Sequence, residues 1–171
     1  MIRKATMKDL GKIENLYNHV LDYEKIHKFC GWEHGIYPTV ITAINGIESN
    51  CMFIGEENDE CFGSAILNQI QAHEYKNINW SYPASDDDIL VIHTLCISPL
   101  FKKQGKGAEF LEFAEAYAKK LGLKYIRLDT HENNIPAFSL YTKCGYNYVE
   151  TAPFTMLDGS SKNLKCLEKK L

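Results

Sequence analysis

The chain has 171 residues, of which 45% are hydrophobic and 24% are charged, and its formal net charge is −3 at pH 7. These values are typical of a globular protein, and we expect residues 1–171 to form a single domain. The negative charge argues against a general nucleic-acid-binding role. Because there is no run of about 18 apolar residues and no signal-peptide core at the N-terminus, we expect a cytoplasmic protein with no membrane partner.

The six cysteines lie at positions 30, 51, 61, 96, 144 and 166, and no two of them form a Cys-x-x-Cys pair. Structural zinc sites usually contain such pairs, so we expect no metal site. In a reducing compartment, all six are expected to be free thiols.

The N-terminal part predicts a strand over residues 2–6 and then a helix, which Thr6 caps with Asp9 three positions later. Apolar side chains at three- and four-residue spacing give this helix one buried face, formed by Leu10, Ile13, Leu16, Tyr17 and Val20. Residues 29–38 contain two glycines, one proline and three aromatic side chains, which indicates an aromatic-rich loop. A short helix is predicted over residues 39–47.

The middle of the chain begins with a predicted hairpin, whose strands are residues 51–56 and 61–71. Residues 73–85 indicate an irregular connection, and three consecutive aspartates at positions 86–88 follow it. Adjacent side chains of an extended chain point in different directions, so this acidic run favours a solvated loop over a metal site.

Residues 89–97 are mostly apolar and β-branched, with interruptions at His93, Thr94 and Cys96. This pattern predicts a buried strand, which has to end at Pro99 because proline cannot continue the hydrogen-bonded ladder.

A basic turn with two glycines, residues 102–107, leads from this strand into an amphipathic helix that runs to Leu121 and stops at Gly122. The first N–H groups of a helix have no partner within the chain, so a glycine turn at a helix start can hold phosphate. The turn lacks the hydroxyl and spacing of the Walker A motif and the third glycine of the Rossmann motif.

The C-terminal part predicts strands over residues 124–129, 146–151 and 163–168. Between the first two lies a predicted helix with Pro136 in its first turn and Gly145 at its end. Asn134 and Tyr141 are seven residues apart, about two helical turns, so both can face the same cleft.

Two of these segments together resemble the signature of the GCN5-related N-acetyltransferase (GNAT) family. The first is Leu95-Cys96-Ile97-Ser98-Pro99 with Lys102-x-x-Gly105-x-Gly107, in which lysine replaces the usual arginine or glutamine. The second is Asn134-x-x-Ala137-x-x-x-Tyr141-x-x-x-Gly145-Tyr146, which matches the family pattern at every fixed position. The resemblance implies an α/β (α+β) fold with a mixed, mostly antiparallel sheet of six to seven strands and helices on both faces.

The resemblance also implies an acetyl-CoA-dependent N-acetyltransferase that moves acetyl directly to an amine, without a metal cofactor. The net charge and the aromatic loop favour a small-molecule amine as acceptor. A protein N-acetyltransferase and a non-catalytic acyl-CoA-binding sensor are the alternatives. Dimers are common among such folds, so a homodimer is a further expectation.

In the resembled family, the strand end, the glycine turn and the next helix bind coenzyme A. The backbone of Leu95, Cys96 and Ile97 is expected to pair with the pantetheine arm, and the central strand to separate from the next one there. The turn is expected to hold the diphosphate through Lys102, Lys103, Gln104, Gly105, Lys106, Gly107 and Ala108. Asn134 is expected to bond the coenzyme A arm.

For the chemistry, Tyr141 corresponds to the family tyrosine beside the coenzyme A sulfur and is the expected acid. His93 is the first candidate for the base, since its ordinary pKa of about 6.5 suits proton transfer at pH 7. The sequence around it is similar to the arylalkylamine branch of the family, in which a histidine at this place serves a proton relay. A buried neutral histidine bonded to a neighbour is the alternative, and Asp129 is the second candidate for the base.

The family forms part of its acceptor pocket between the first and second strands. Trp32 and Tyr37 are therefore expected to line this pocket, and Glu33 to anchor a cationic amine. The alternative is that these aromatic side chains only fix a long loop to the core.

Overall fold

The computed structural model describes Met1 to Leu171 and contains seven strands and four helices. The strands are β1 (Ile2–Lys4), β2 (Met52–Glu57), β3 (Glu60–Asn68), β4 (Ile89–Ile97), β5 (Tyr125–His131), β6 (Asn147–Thr155) and β7 (Ser161–Lys170). The helices are α1 (Leu10–His27), α2 (Val40–Glu48), α3 (Lys106–Lys120) and α4 (Ile135–Lys143). Short 3-10 turns occur at Met7–Asp9, His73–Asn77, Asp86–Asp88 and Pro99–Phe101.

All seven strands belong to one sheet in the order β1-β2-β3-β4-β5-β7-β6. Only β4 and β5 pair in parallel, and every other neighbouring pair is antiparallel. The predicted mixed, mostly antiparallel sheet is therefore confirmed. A parallel pair needs a crossover connection, which α3 supplies between β4 and β5.

Helices cover both faces of the sheet, as predicted. Alternate residues of a strand point to opposite faces. In β2, Phe53 packs into the cluster that contains α3 residues such as Phe110, whereas Met52 and Ile54 pack with α1 residues such as Ile13. The two faces thus form two separate apolar clusters.

Strand β4 contains a bulge that changes which side chains face α3. Leu90 and Ile92 pack on the α3 side before the bulge, and Leu95 and Ile97 pack there after it. This change of parity requires one extra residue, and the pairing of β3 with β4 shifts register between Ser64 and Ile66. Thr94, in the bulge, has a φ of 51°, which is unusual for a β-branched residue.

After Val91, just before the bulge, β4 separates from β5. The parallel pairing covers only Ile89 to Val91 of β4, although both strands continue further. The separation expected from the family resemblance is therefore present. It opens a gap between the ends of two central strands, and the candidate site lies in this gap.

Several predicted strand bounds were wrong: the last three strands extend two to four residues beyond their predicted ends, to His131, Thr155 and Lys170, and two earlier strands are shorter than predicted. The first strand ends at Lys4 because the N–H of Thr6 donates to the Asp9 carboxylate at 2.8 Å and begins the next turn. Strand β3 ends at Asn68, three residues before the predicted end, because the Asn68 side chain accepts a hydrogen bond from the N–H of Ile70. Both are local side-chain bonds that compete with the ladder.

The connection between β3 and β4 packs on the part of the sheet that α1 and α2 leave uncovered. Tyr75 and Ile78 are buried there against Ile89, Val91 and other side chains of β4, β6 and β7. The segment predicted to be irregular thus packs on the sheet and contains a 3-10 turn at His73–Asn77. Its acidic end is also ordered, since Asp88 pairs with Lys124 at 2.9 Å.

The cysteines are free thiols, as predicted. Among the helices, none combines the length and apolar character needed to cross a bilayer.

Candidate active site

A cavity of about 370 Å³ lies at the gap between β4 and β5. It brings together eight side chains that the sequence singled out, from four separate parts of the chain: Trp32, Glu33, Tyr37, His93, Leu95, Asp129, Asn134 and Tyr141. Cys96 does not line it, because beyond the bulge its side chain is buried against α1 and α2. The cavity thus lies between the aromatic loop of residues 29–38, the central strand β4, β5 and α4.

The start of α3 presents a group of unpaired backbone donors. Gly105 is the N-cap residue with a φ of 77°, and the first capping bond runs from the N–H of Glu109 to the carbonyl of Gly105. The N–H groups of Lys106, Gly107 and Ala108 therefore have no backbone acceptor. Unpaired donors at the positive end of a helix dipole suit a diphosphate, so the turn fits the coenzyme A role expected of it.

The lysines of this turn differ in their availability. The Lys106 ammonium is bonded to Glu57 at 2.7 Å and to Glu109 at 3.0 Å. Lys102 donates to the hydroxyl of Tyr23. Lys103 has no side-chain partner, and the Tyr23 hydroxyl does not neutralise the charge of Lys102. Lys106 is thus the lysine of the turn whose charge is already paired, and Lys103 is the one with no partner to release.

Gly107 has a second role that sequence reasoning missed. A Cβ atom at this position would lie 2.6 Å from Cδ2 of Leu140. The missing side chain therefore allows α3 to approach α4, the helix that carries Tyr141. Only the packing of two helices far apart in sequence reveals this role.

Tyr141 is 6% exposed and lies beside the cavity, with no hydrogen-bond partner for its hydroxyl among the surrounding groups. Burial raises the pKa of Tyr141 above its ordinary value, so the phenol stays protonated. Asn134 caps the same helix by accepting from the N–H of Ala137 at 3.2 Å. The cap fixes the start of the helix and thus the direction of Tyr141.

His93 is held by two acceptors, one at the end of β3 and one just after it. Its Nε2 lies 3.0 Å from Oδ1 of Asn68 and 3.1 Å from the carbonyl oxygen of Ile70. Two acceptors require a proton on Nε2, which leaves the lone pair of a neutral ring on Nδ1. Burial lowers the pKa of His93, so the ring is neutral at pH 7 and able to accept a proton.

Asp129 is half-buried at the end of β5 and accepts a hydrogen bond from the Tyr75 hydroxyl at 2.8 Å. Burial raises its pKa to about 6. The carboxylate is therefore mostly ionised at pH 7, and it lines the same cavity as His93 and Tyr141. One cavity holds a neutral imidazole, an ionised carboxylate and a protonated phenol.

The aromatic loop forms one wall of the cavity. Trp32 and Tyr37 meet edge to face at 5.8 Å, and the Tyr37 hydroxyl bonds Oγ1 of Thr94 in the β4 bulge. The buried Glu24 holds the loop by accepting from the N–H groups of Cys30 and Gly31, each at 2.7 Å. Trp32 and Tyr37 thus both line the cavity and hold the loop, and their expected contact with an acceptor, like that of Glu33, stays a prediction.

Another part of the cavity lining comes from residues that the sequence did not indicate. The turn between β6 and β7 contributes residues 155–158, and β7 contributes Lys162 and Leu164. Lys162 donates to the carbonyl of Gly31 at 2.7 Å and so ties this hairpin to the aromatic loop. The two residues are 131 positions apart, and no local pattern marks either of them.

Comparisons with known proteins agree with this geometry. A sequence profile described as the acetyltransferase (GNAT) family matches residues 13–146. The streptothricin acetyltransferase of Escherichia coli is 36% identical over 93 residues, which are 53% of this chain and 49% of that protein. The match thus spans about half the length of this relative.

Solved structures share the fold over the whole chain. A GNAT-family acetyltransferase from Streptococcus agalactiae superposes with a TM-score of 0.79 at 24% identity, covering 100% of this chain and 95% of that one. The Salmonella typhimurium protein yncA, solved with its cofactor acetyl-CoA, superposes with a TM-score of 0.70 at 16% identity, covering 100% and 93% of the two chains.

Proposed function

Because the chain belongs to the acetyltransferase (GNAT) family, we propose that it is an acetyl-CoA-dependent N-acetyltransferase for a small-molecule amine. The observation that carries the proposal is the gap between β4 and β5. This gap lets Tyr141 of α4 line the same cavity as His93 and Asp129.

Acetyl-CoA supplies the activated acetyl group when it is bound. The unpaired N–H groups of Lys106, Gly107 and Ala108 hold its diphosphate, and the free ammonium of Lys103 adds charge there. The residues present fit this group because a helix start without side-chain caps leaves its donors open to an anion.

The amine has to lose a proton before it can attack. A primary amine with a pKa near 10.4 is almost wholly protonated at pH 7, and removing that proton costs roughly 4 to 5 kcal/mol. The ionised Asp129 attracts the ammonium, and Nδ1 of His93 accepts its proton. Asp129 itself is the second candidate for this acceptor, since its pKa of about 6 suits the same task.

Tyr141 completes the proton balance. The nitrogen gives up two protons, one from the ammonium before attack and one as the amide forms. The departing thiolate takes a proton from the Tyr141 hydroxyl, one of the nitrogen's protons restores the phenol, and the base passes the other to solvent. The raised pKa of this buried hydroxyl keeps the proton available until the sulfur leaves.

Two observations favour a small acceptor over a protein. The aromatic loop and the β6–β7 hairpin both line the cavity and are tied together by Lys162, which narrows the space for a polypeptide. The E. coli relative is named for streptothricin, a small molecule.

The test is release of free thiol from acetyl-CoA by the purified protein across a panel of small amines and lysine-containing peptides. Release that depends on a small amine supports the proposal. Release only with peptides would indicate a protein acetyltransferase, and acetyl-CoA binding without release on any amine would indicate a sensor.

A further inference from the structure

Tyr75 lies outside every motif of the family signature and yet contacts the candidate site. Its hydroxyl donates to Oδ2 of Asp129 at 2.8 Å, across 54 positions of sequence. Oδ1 of Asp129 has no hydrogen-bond partner within the protein and is not sealed from the cavity. One carboxylate oxygen is thus fixed by Tyr75, and the other is open to an acceptor.

The Tyr75 ring is itself held in place. It is 3% exposed and meets Trp80 edge to face at 5.0 Å and Phe154 at 6.0 Å. The Trp80 indole N–H donates to the backbone carbonyl of Tyr75 at 2.9 Å, and the Arg127 guanidinium lies 4.2 Å above the Trp80 ring. The hydroxyl is therefore pre-positioned by folding, and no side chain has to be ordered when an acceptor arrives.

Asp129 lacks a cationic partner. The titratable groups that face it are Tyr75 and Glu74 from the β3–β4 connection, Tyr37 from the aromatic loop, Tyr141 from α4 and Cys166 from β7. None of these carries a positive charge. A hydrogen bond to a carboxylate favours its ionised form, and here Tyr75 supplies the one such bond.

From this geometry, we propose that Tyr75 is a positioning residue that keeps the Asp129 carboxylate ionised and aimed into the cavity, where it receives the acceptor ammonium. The proposal rests on the proposed acetyltransferase function, and it assigns a role to the β3–β4 connection. The connection then contacts both proton-handling groups, since its Ile70, together with Asn68 at the end of β3, holds His93.

The first test compares the pH dependence of kcat/KM for wild type, Tyr75→Phe and the control Tyr17→Phe. Tyr17 is also a buried tyrosine, and its hydroxyl has no hydrogen-bond partner. Without its donor, Asp129 should ionise about one pH unit higher, because a hydrogen bond to a charged group has about that strength. The ratio of Tyr75→Phe to wild-type activity should then fall about threefold near pH 6.5 and recover near pH 8.5, while the control ratio stays constant.

A purely structural role would lower the activity of Tyr75→Phe by the same factor at every pH, and that result would overturn the proposal. The second test needs no substrate. In wild-type protein, the carboxyl carbon of Asp129 and the ring carbon bearing the Tyr75 hydroxyl should show the same NMR titration midpoint. A Tyr75 signal that stays constant between pH 5 and pH 8 would also overturn it.

The NMR measurement separates the two proposals. If no amine supports thiol release, the proposed function fails while the shared midpoint can still be observed. If amines are acetylated but the Tyr75 signal is constant, the function stands and the positioning role fails.

Discussion

Replacement of Asp129 by asparagine should make the protein more stable and less active. Asparagine has nearly the same shape, and its side-chain oxygen can still accept the hydrogen bond from Tyr75. What the substitution removes is a negative charge held in a half-buried site without a cationic partner.

The magnitude follows from the pKa of Asp129, which burial raises from its ordinary value of 3.8 to about 6. At about 1.36 kcal/mol for each pKa unit, the ionised carboxylate lowers the free energy of unfolding by about 3 kcal/mol. The pKa of Asp129 is higher in the folded protein than in the unfolded chain. The loss of stability is therefore absent below pH 3.8 and complete above about pH 7. Near pH 5, about half of it is already present, because the unfolded chain ionises first.

The assay is urea unfolding of wild type and Asp129→Asn between pH 5 and pH 8. The stability advantage of the variant should grow by about 1.4 kcal/mol over this interval and then level off. A difference that is constant with pH, or a variant less stable than wild type at pH 8, would refute the reasoning. Activity of the variant should fall with every amine, because the acceptor ammonium loses its anchor.

Three further substitutions test the site. Tyr141→Phe should lower kcat about 10²-fold with little change in acetyl-CoA affinity, and an equal loss in both would refute the acid role. His93→Gln should also lower kcat about 10²-fold at a nearly unchanged KM for the amine, whereas an unchanged rate would leave proton removal to Asp129 or water. Gly107→Ala should weaken acetyl-CoA binding in calorimetry, because its Cβ would lie 2.6 Å from Cδ2 of Leu140, so that either this side chain or the start of α3 has to shift.

The matched control for the last substitution is Gly11→Ala. A Cβ atom at Gly11 would meet nothing within 4 Å, and this glycine lies in α1, outside the turn. The acetyl-CoA affinity of Gly11→Ala should equal that of wild type. An equal loss of affinity in both variants would show that the contact between Gly107 and Leu140 does not explain the effect.

Much of the fold could be predicted from local chemistry. Gly122 and Gly145 follow their helices with φ values of 77° and 85°, as helix-ending glycines should. Thr39 precedes α2 with extended backbone, and Pro136 lies in the first turn of α4. Each of these helix ends depends on the backbone conformation and hydrogen bonds of a few consecutive residues. They can therefore be predicted without knowledge of the tertiary structure.

The candidate site was predicted in part for the same reason. The glycine turn and the Asn134 to Tyr141 spacing are local patterns, and they pointed to the helix start and the phenol before any packing was known. The roles of these residues in catalysis stay predictions. Both candidate bases and a neutral, hydrogen-bonded state of His93 could be named from the sequence, but the groups that bond them, Asn68, Ile70 and Tyr75, could not.

The sequence by itself determined the order of the elements, the helix ends and the signature that points to coenzyme A, since each depends on neighbours along the chain. Only the tertiary structure decided where β4 separates from β5, which is after Val91. It also decided that Glu57 pairs with the Lys106 ammonium and that Lys162 bonds the aromatic loop beside the cavity. Burial and charge pairing act between groups that are close in space whatever their separation in sequence. A pKa near 6 at Asp129 therefore exists only in the folded protein.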